Sequence, residues 1–484
     1  MAKRRLTIIL LILLGIASVG GADTPVARTV ADLAEQYARQ HRASVGIHAV
    51  RLADGKTLCD VHADRPLIPA SNQKVLTSAV ALKCLGADFA FRTELAVVGN
   101  DVAVIGDGDP TTGDARLAAR GEDIYAVFDR WAAALKKHGL KDVGALMVRS
   151  GIFQPPGVHP DWPASQRQRW YSAPVAGVNF NTNCFDVGFK VIGRTVRPTV
   201  TPAAGGRIAV VSRVTRGKRH LWSCRFDAAG TTLTLRGTVT RTTPDAYPVA
   251  APDPARLFAA VLADRLAKAG LLVTGDVLTS NDPAWSRPPA KQRRTVAVET
   301  TPLRDVLRRC NKQSVNMMAE CLLLRSAVEG ETPADWKRAA QVATKALTDH
   351  YGLKVSQFKV ADGSGYSRRN RVAPAAMTHV LKALASQRVF VRSLAVGGVD
   401  GSLKRRLTHA RGRVLGKTGS LAGVSALSGY VLDRRGEPAV AFAVFINGRV
   451  ARAKAFEDRL CGVLIEAVDA EAATAPATAP ATRP

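Results

Sequence analysis

From Ser44 to Leu52 the apolar side chains Val45, Ile47 and Ala49 alternate with their neighbours, which predicts a strand with one buried face. Asp54-Gly55 supplies a turn, and Lys56–Val61 returns as the second arm of the pair. The segment before it, from Thr24, carries helical spacing. After Pro69-Ala70 an apolar run from Val75 to Leu85 predicts a buried helix. The texture changes between Phe89 and Pro288, a stretch rich in Val, Thr, Gly and Pro. Short alternating runs there, such as Arg207–Val214 and Thr231–Val239, predict mostly β structure, with helices near Ile124–His138 and Pro254–Ala269. From Arg293 the pattern turns helical again. It closes with strands at Ala426–Leu432 and Ala439–Asn447 and a helix at Ala451–Val468.

The two ends of the chain read differently. Lys3, Arg4 and Arg5 precede an apolar run from Leu6 to Val19 and a small-residue exit at Gly20-Gly21-Ala22. That order predicts a secretory signal over residues 1–22, with a run too short to span a bilayer comfortably. The expected location is therefore the periplasm or the extracytoplasmic envelope. Residues 469–484 repeat Ala, Thr and Pro and are expected to be disordered, outside any core. Among 484 residues, 46% are hydrophobic, ample for packed cores in two to four domains.

The formal net charge is +28. An exported protein seldom meets nucleic acid, so the fitting polyanions are envelope polymers and anionic lipid head groups, reached by peripheral contact. The plainer account is Arg spread over solvated faces. The seven Cys are odd in number and contain no C-x-x-C pair, which argues against zinc or redox chemistry. Cys184 and Cys224 could form a bridge or stay as thiols.

Three short strings carry the candidate chemistry: Ser71-Asn72-Gln73-Lys74, Ser314-Val315-Asn316 and Lys417-Thr418-Gly419. Ser71 falls in the first turn of the predicted Val75–Leu85 helix, with Lys74 on the same face. A serine hydroxyl needs a base, and a lysine serves as one only when burial or nearby positive charge lowers its pKa. Lys417 would help supply that charge. Ser314 and Asn316 lie where a polar loop runs into an apolar helix. There Ser314 could relay a proton to the leaving amine, and Asn316 could hold a substrate amide and orient Lys74. On a strand, Lys417 and Gly419 share one face and Thr418 and Ser420 the other. That strand could pair with substrate, Gly419 admitting a peptide backbone and the hydroxyls gripping a terminal carboxylate. The N–H groups of Ser71 and Ser420 could form an oxyanion hole. Singly, each string also fits a helix cap, a loop or a basic hairpin. Together and in this order they spell acyl transfer by a serine with a lysine base. No His fits a serine triad, and Gly106-Asp107-Gly108-Asp109 and Asp362-Gly363-Ser364-Gly365 read as turns.

With these motifs in place, the chain resembles the D-alanyl-D-alanine carboxypeptidase/endopeptidase branch of low-molecular-mass penicillin-binding proteins, class C. The likeness rests on PASNQK at Pro69–Lys74, GDGDP at Gly106–Pro110 and YSAPVAGVNFNTNC at Tyr171–Cys184. It extends through SVNMMAE at Ser314–Glu320, DGSGYSRRNRV at Asp362–Val372, GGVDGSL at Gly397–Leu403 and GKTGSLAGVSALSGY at Gly416–Tyr430. It implies an α/β (α+β) fold: a penicilloyl-serine transferase, β-lactamase-like domain, its antiparallel sheet flanked by helices. Residues 24–88 and 291–468 would form it, and residues 89–290 would be a mostly β insertion of one or two domains. The resemblance implies Ser71 as acylated nucleophile, Lys74 as base, and Ser314, Asn316 and Lys417 as further catalytic residues. Thr418, Gly419 and Ser420 would bind substrate. Asp362 and Ser364 match a family motif without an assignable role.

The implied partners are peptidoglycan stem peptides ending in D-Ala-D-Ala or crosslinked, with β-lactams as inhibitors. No metal or organic cofactor is implied. Some members carry a carboxylate before the aromatic-Ala-Pro string, but here residues 164–170 hold two arginines and no acid, so Asp161 is the nearest candidate. The rival readings are a β-lactamase or esterase on the same framework, and a non-catalytic peptidoglycan-binding protein.

Overall fold

The computed structural model describes residues 24–117, 122–155, 157–280, 292–330 and 332–474. The signal expected at 1–22 and the last ten residues lie outside these. A six-stranded, fully antiparallel sheet organises the outer segments. From edge to edge its strands are Ala395–Val396, Val414–Leu421, Val424–Leu432, Pro438–Gly448, Ala43–Arg51 and Thr57–Val61. The Pro438–Gly448 strand shows why the sheet is buried on both faces. Val440, Phe442, Val444 and Ile446 join one cluster with the Pro25–His41 and Ala453–Thr474 helices. The alternating Ala441, Ala443 and Phe445 join another with the Gln73–Leu85 and Pro374–Leu384 helices. Two alanines on that second face let helices approach closely, and one of those helices follows Ser71. The first helix opens on Thr24, whose side chain accepts from Ala27 N, with Pro25 in the first helical position.

Between the outer segments lies the insertion. Its largest sheet is mixed and five-stranded, ordered Val277–Thr279, Leu146–Arg149, Asp101–Gly106, Ala90–Val98 and Arg294–Pro302. The sequence pattern groups Arg294–Pro302 with residues 291–468; the strand instead pairs antiparallel with Ala90–Val98. Its β-branched run has no partner in the six-stranded sheet, and the Leu303–Gln313 helix follows it directly. Two three-stranded sheets complete the insertion, one of Tyr247–Ala250, Cys184–Ile192 and Thr195–Thr201, the other of Ala209–Arg216, Thr232–Val239 and Leu221–Phe226. Helices Ala126–Lys137 and Pro254–Lys268 meet through Phe128 and Phe258, their ring centroids 5.0 Å apart.

Two expectations change. All seven Cys are free thiols, and Cys184 and Cys224 sit in different sheets, so they form no bridge. Residues 469–474, grouped with the tail on composition, extend the last helix to Thr474. Ala and Glu favour helix there, and Asp469 and Glu471 tie that end to Arg413 (2.8 Å) and Arg51 (2.5 Å). Among the described residues no helix is long and apolar enough to cross a membrane.

Candidate active site

Ser71 sits in a 3-10 turn, Ala70–Asn72, that hands the chain directly to the Gln73–Leu85 helix. Ala70 holds a left-handed φ of 46°, a conformation that costs a residue with a Cβ and must be held by its surroundings. Gly365, itself at φ 82°, supplies that hold: a Cβ there would lie 1.8 Å from Ala70 O. On the other side the turn rests on Gly419, where a Cβ would lie 2.8 Å from both Pro69 O and Asn72 Nδ2. The glycine of the third string thus admits the Ser71 turn, where the sequence suggests a substrate backbone.

Lys74 is fully buried one residue into the helix. Its Nζ lies 3.1 Å from Ser71 Oγ and 2.8 Å from both Asn316 Oδ1 and Ser364 O. Burial pulls the ammonium down to about 8, against the weaker opposing pull of neighbouring acidic groups. Lys417 is equally buried, and its Nζ donates to Ser314 Oγ at 2.9 Å and Thr418 O at 2.8 Å. Burial first, and then the charge of Lys74, hold Lys417 well below the usual lysine value.

Ser314 joins two helices, Leu303–Gln313 and Asn316–Arg325, in a left-handed conformation (φ 59°). The joint is shorter than the sequence suggested. Leu303, Val306, Leu307 and Cys310 form an apolar stripe that keeps residues up to Gln313 helical, leaving only Ser314-Val315 to turn. Asn316 Nδ2 donates to Tyr171 O at 2.8 Å, so its amide bridges the insertion and Lys74.

A cleft of about 840 Å³ opens over this centre. Ser71, Ser314, Asn316, Thr418 and Ser420 line it, while Lys74, Lys417 and Gly419 stand behind that lining. The expected alternation along the Val414–Leu421 strand is observed: Thr418 and Ser420 are accessible, Lys417 and Gly419 buried. Thr418 Oγ1 donates to Ser402 Oγ at 2.8 Å. The eight residues singled out by sequence thus gather at one cleft, five in its lining and three buried behind it.

Residues 26–467 match the model of the D-Ala-D-Ala carboxypeptidase 3 (S13) family. The chain belongs to that family. It is thereby a serine-type carboxypeptidase. It is 32% identical over 440 residues to a D-alanyl-D-alanine carboxypeptidase of Actinomadura sp. (strain R39), spanning 83% of this chain and 77% of that protein. It is 29% identical to the D-alanyl-D-alanine carboxypeptidase DacB of Haemophilus influenzae, over 84% and 85% of the two chains. A crystal structure of penicillin binding protein 4 (dacB) from Haemophilus influenzae is similar with a TM-score of 0.74 at 26% identity, covering 90% of this chain and 99% of that one. The same protein complexed with a novel β-lactam gives 0.69 at 25%, covering 91% and 99%.

In this S13 chain, the Asp362–Ser367 turn supports the lysine. Asp362, fully buried, accepts from Trp162 Nε1 (2.9 Å), Gly365 N (2.8 Å) and Asn370 Nδ2 (2.8 Å). The turn's part in the site is to place the carbonyl of Ser364 on Lys74. Glu320 anchors the same turn from below, its two oxygens accepting from Gly363 N at 2.7 Å and Ser364 N at 2.8 Å. Burial, then the nearby Asp362, push its carboxyl up to about 8, while the two backbone donors oppose that shift. Sequence reasoning missed the part played by Glu320. The available signal was an acid inside the apolar helical run Met317–Leu324, which must find donors when buried. Asp161 does line the cleft, but its charge is met by Arg369 (3.3 Å) and by Ser367 Oγ (2.8 Å).

Proposed function

We propose that Ser71 is the acylated nucleophile of an exported D-Ala-D-Ala carboxypeptidase acting on peptidoglycan stem peptides, and that β-lactams acylate the same oxygen. The observation that carries this reading is the three-way environment of Lys74 Nζ. A neutral amine has two N–H bonds and one lone pair. Asn316 Oδ1 and Ser364 O are both acceptors, so they take the two hydrogens. The lone pair is left for the Ser71 hydroxyl at 3.1 Å. Lys74 then removes the Ser71 proton as the oxygen attacks the scissile carbonyl carbon.

The oxyanion forms against the N–H groups of Ser71 and Ser420. Thr418, Ser420 and the positive field of Lys417 hold the terminal carboxylate. The proton taken by Lys74 returns through Ser314, paired with Lys417, to the departing amine, and D-alanine leaves. Water then attacks the ester, its proton passes to Ser71 Oγ, and the shortened peptide departs as a carboxylate. A crosslinked amine leaving in place of D-alanine would make the same steps an endopeptidase reaction.

The test is digestion of purified monomeric and crosslinked muropeptides by wild type and Ser71→Ala, with mass spectrometry after incubation with penicillin. The expected result is D-alanine release or crosslink cleavage, and a penicilloyl adduct on Ser71, in wild type alone. Full activity in Ser71→Ala would end the mechanism.

A further inference from the structure

Residues 190–225 contain nine Lys or Arg and no Asp or Glu. They build the Cys184–Ile192/Thr195–Thr201 hairpin and two strands of the Ala209–Arg216, Thr232–Val239, Leu221–Phe226 sheet. The inner face of that sheet, with Val214, Phe226, Leu233 and Leu235, belongs to the insertion's core. The outer face therefore holds the residues between them: Val211 and Arg213 on one edge strand, Arg236 in the centre, Leu221 and Arg225 on the other edge. Arg213 sits directly opposite Arg236 in the register. Like charges opposite one another cost stability. No acid relieves them, because Arg213, Arg225 and Arg236 have no ion pair among the described residues. Beside these cations stand apolar side chains with no cover, one on each edge strand: Leu221 is 70% exposed and Val211 40%.

A cationic face that tolerates its own repulsion, with two bare aliphatic tips at its edge, has the chemistry of a surface that meets anionic head groups. We propose that this outer sheet face docks the protein on an anionic lipid bilayer, its arginines on the head-group phosphates and Leu221 and Val211 entering the interface. A soluble polyanion would engage the arginines equally but would gain nothing from the two aliphatic side chains, which favours the bilayer. The inference is independent of the chemistry assigned to Ser71.

The test is co-sedimentation of the mature protein with vesicles of equal parts phosphatidylglycerol and phosphatidylcholine, with pure phosphatidylcholine vesicles and inorganic polyphosphate as comparisons. Each removed cation should weaken binding about fivefold, so the triple variant Arg213→Gln/Arg225→Gln/Arg236→Gln should bind the anionic vesicles about a hundredfold more weakly. Leu221→Ser/Val211→Ser should weaken vesicle binding while leaving polyphosphate binding unchanged. Arg236→Gln alone should melt no lower than wild type, because it relieves the Arg213 repulsion, and thermal melts of all variants confirm that they fold. The proposal is overturned by equal vesicle binding of the folded triple variant and wild type. It is also overturned by absence of vesicle binding, or by vesicle binding indifferent to Leu221 and Val211.

Discussion

Gly419→Ala tests the site's geometry with one added methyl. The new Cβ would stand 2.8 Å from Pro69 O, 2.8 Å from Asn72 Nδ2 and 3.2 Å from Ala426 Cβ. None of these neighbours can swing aside. Pro69 O is backbone and already accepts from Asn72 N at 3.1 Å, Asn72 is held by the Ser428 hydroxyl, and Ala426 belongs to the paired strand. Ordinary contact begins near 3.4 Å, so the nucleophile turn must retreat by about 0.6 Å (3.4 − 2.8) from the strand that carries Thr418 and Ser420. A misplacement of about 1 Å can cost about a hundredfold in rate, so this smaller one should cost roughly tenfold. Overpacking should cost about 1–3 kcal/mol of stability, which leaves a folded protein. Gly416→Ala is the control, because its Cβ would meet first the Cδ1 ends of Leu427 (3.1 Å) and Leu403 (3.3 Å), which can turn away. The assay is the acylation rate by a penicillin, followed by intact mass, beside D-alanine release from a stem peptide. Wild-type acylation by folded Gly419→Ala, or an equal loss in both variants, would refute the reasoning.

Three further outcomes are expected. With Lys74 near 8, about one amine in ten is neutral at pH 7 and about half at pH 8. The acylation rate should therefore fall as pH drops through 8, by roughly tenfold between the plateau and pH 7; a flat stopped-flow profile over that range would remove Lys74 as base. Glu320→Gln replaces one acceptor oxygen with a donor facing a backbone N–H, so thermal melts should show a loss of about 1–3 kcal/mol, and acylation should slow as Ser364 O shifts off Lys74. Lys454 Nζ donates to Gly419 O at 3.2 Å, on the peptide whose nitrogen belongs to Ser420. Lys454→Met should lower kcat up to about tenfold with KM unchanged and Lys454→Arg should restore it, while unaltered kcat would show that the contact does not reach the oxyanion site.

The parts legible from sequence are those whose chemistry and periodicity are local. Ser71 and Lys74 lie three residues apart at the head of an apolar run, so the helix and the burial of Lys74 could be read directly, whereas Ser71 sits in the 3-10 turn before that helix and not in its first turn. The Val414–Leu421 strand disclosed which side chains face the cleft because strands have a period of two. Side-chain-to-backbone contacts had no such signature. Asp362 works by accepting from the N–H of Gly365, and Ser364 by offering its carbonyl; neither act depends on a recognisable pairing of residue types. Gly419 advertised an open surface, but what fills that surface is a turn some 350 residues earlier (419 − 69). The Arg294–Pro302 strand lies where the sequence pattern begins a helical stretch, and its partner depends on the fold of the whole insertion.

That dependence reaches the reacting atoms. Asn316 touches Lys74 through its amide oxygen, and its nitrogen is spent on the carbonyl of Tyr171, a residue of the insertion. Without that acceptor the Asn316 amide could flip and present donors to Lys74, erasing the asymmetry that leaves the lysine's lone pair for Ser71. Asp362 is likewise held by Trp162 of the insertion. Arg309, on the helix leading to Ser314, is held by the buried Asp114 at 2.7 Å with only 11% and 3% of the two side chains exposed, a pairing whose loss would strand a buried charge. Three separate contacts thus run from loops and turns of the insertion to Asn316, to the helix before Ser314 and to the turn that carries the Ser364 carbonyl. The insertion is therefore a wall of the active site, and the catalytic segments carry their geometry only with it in place.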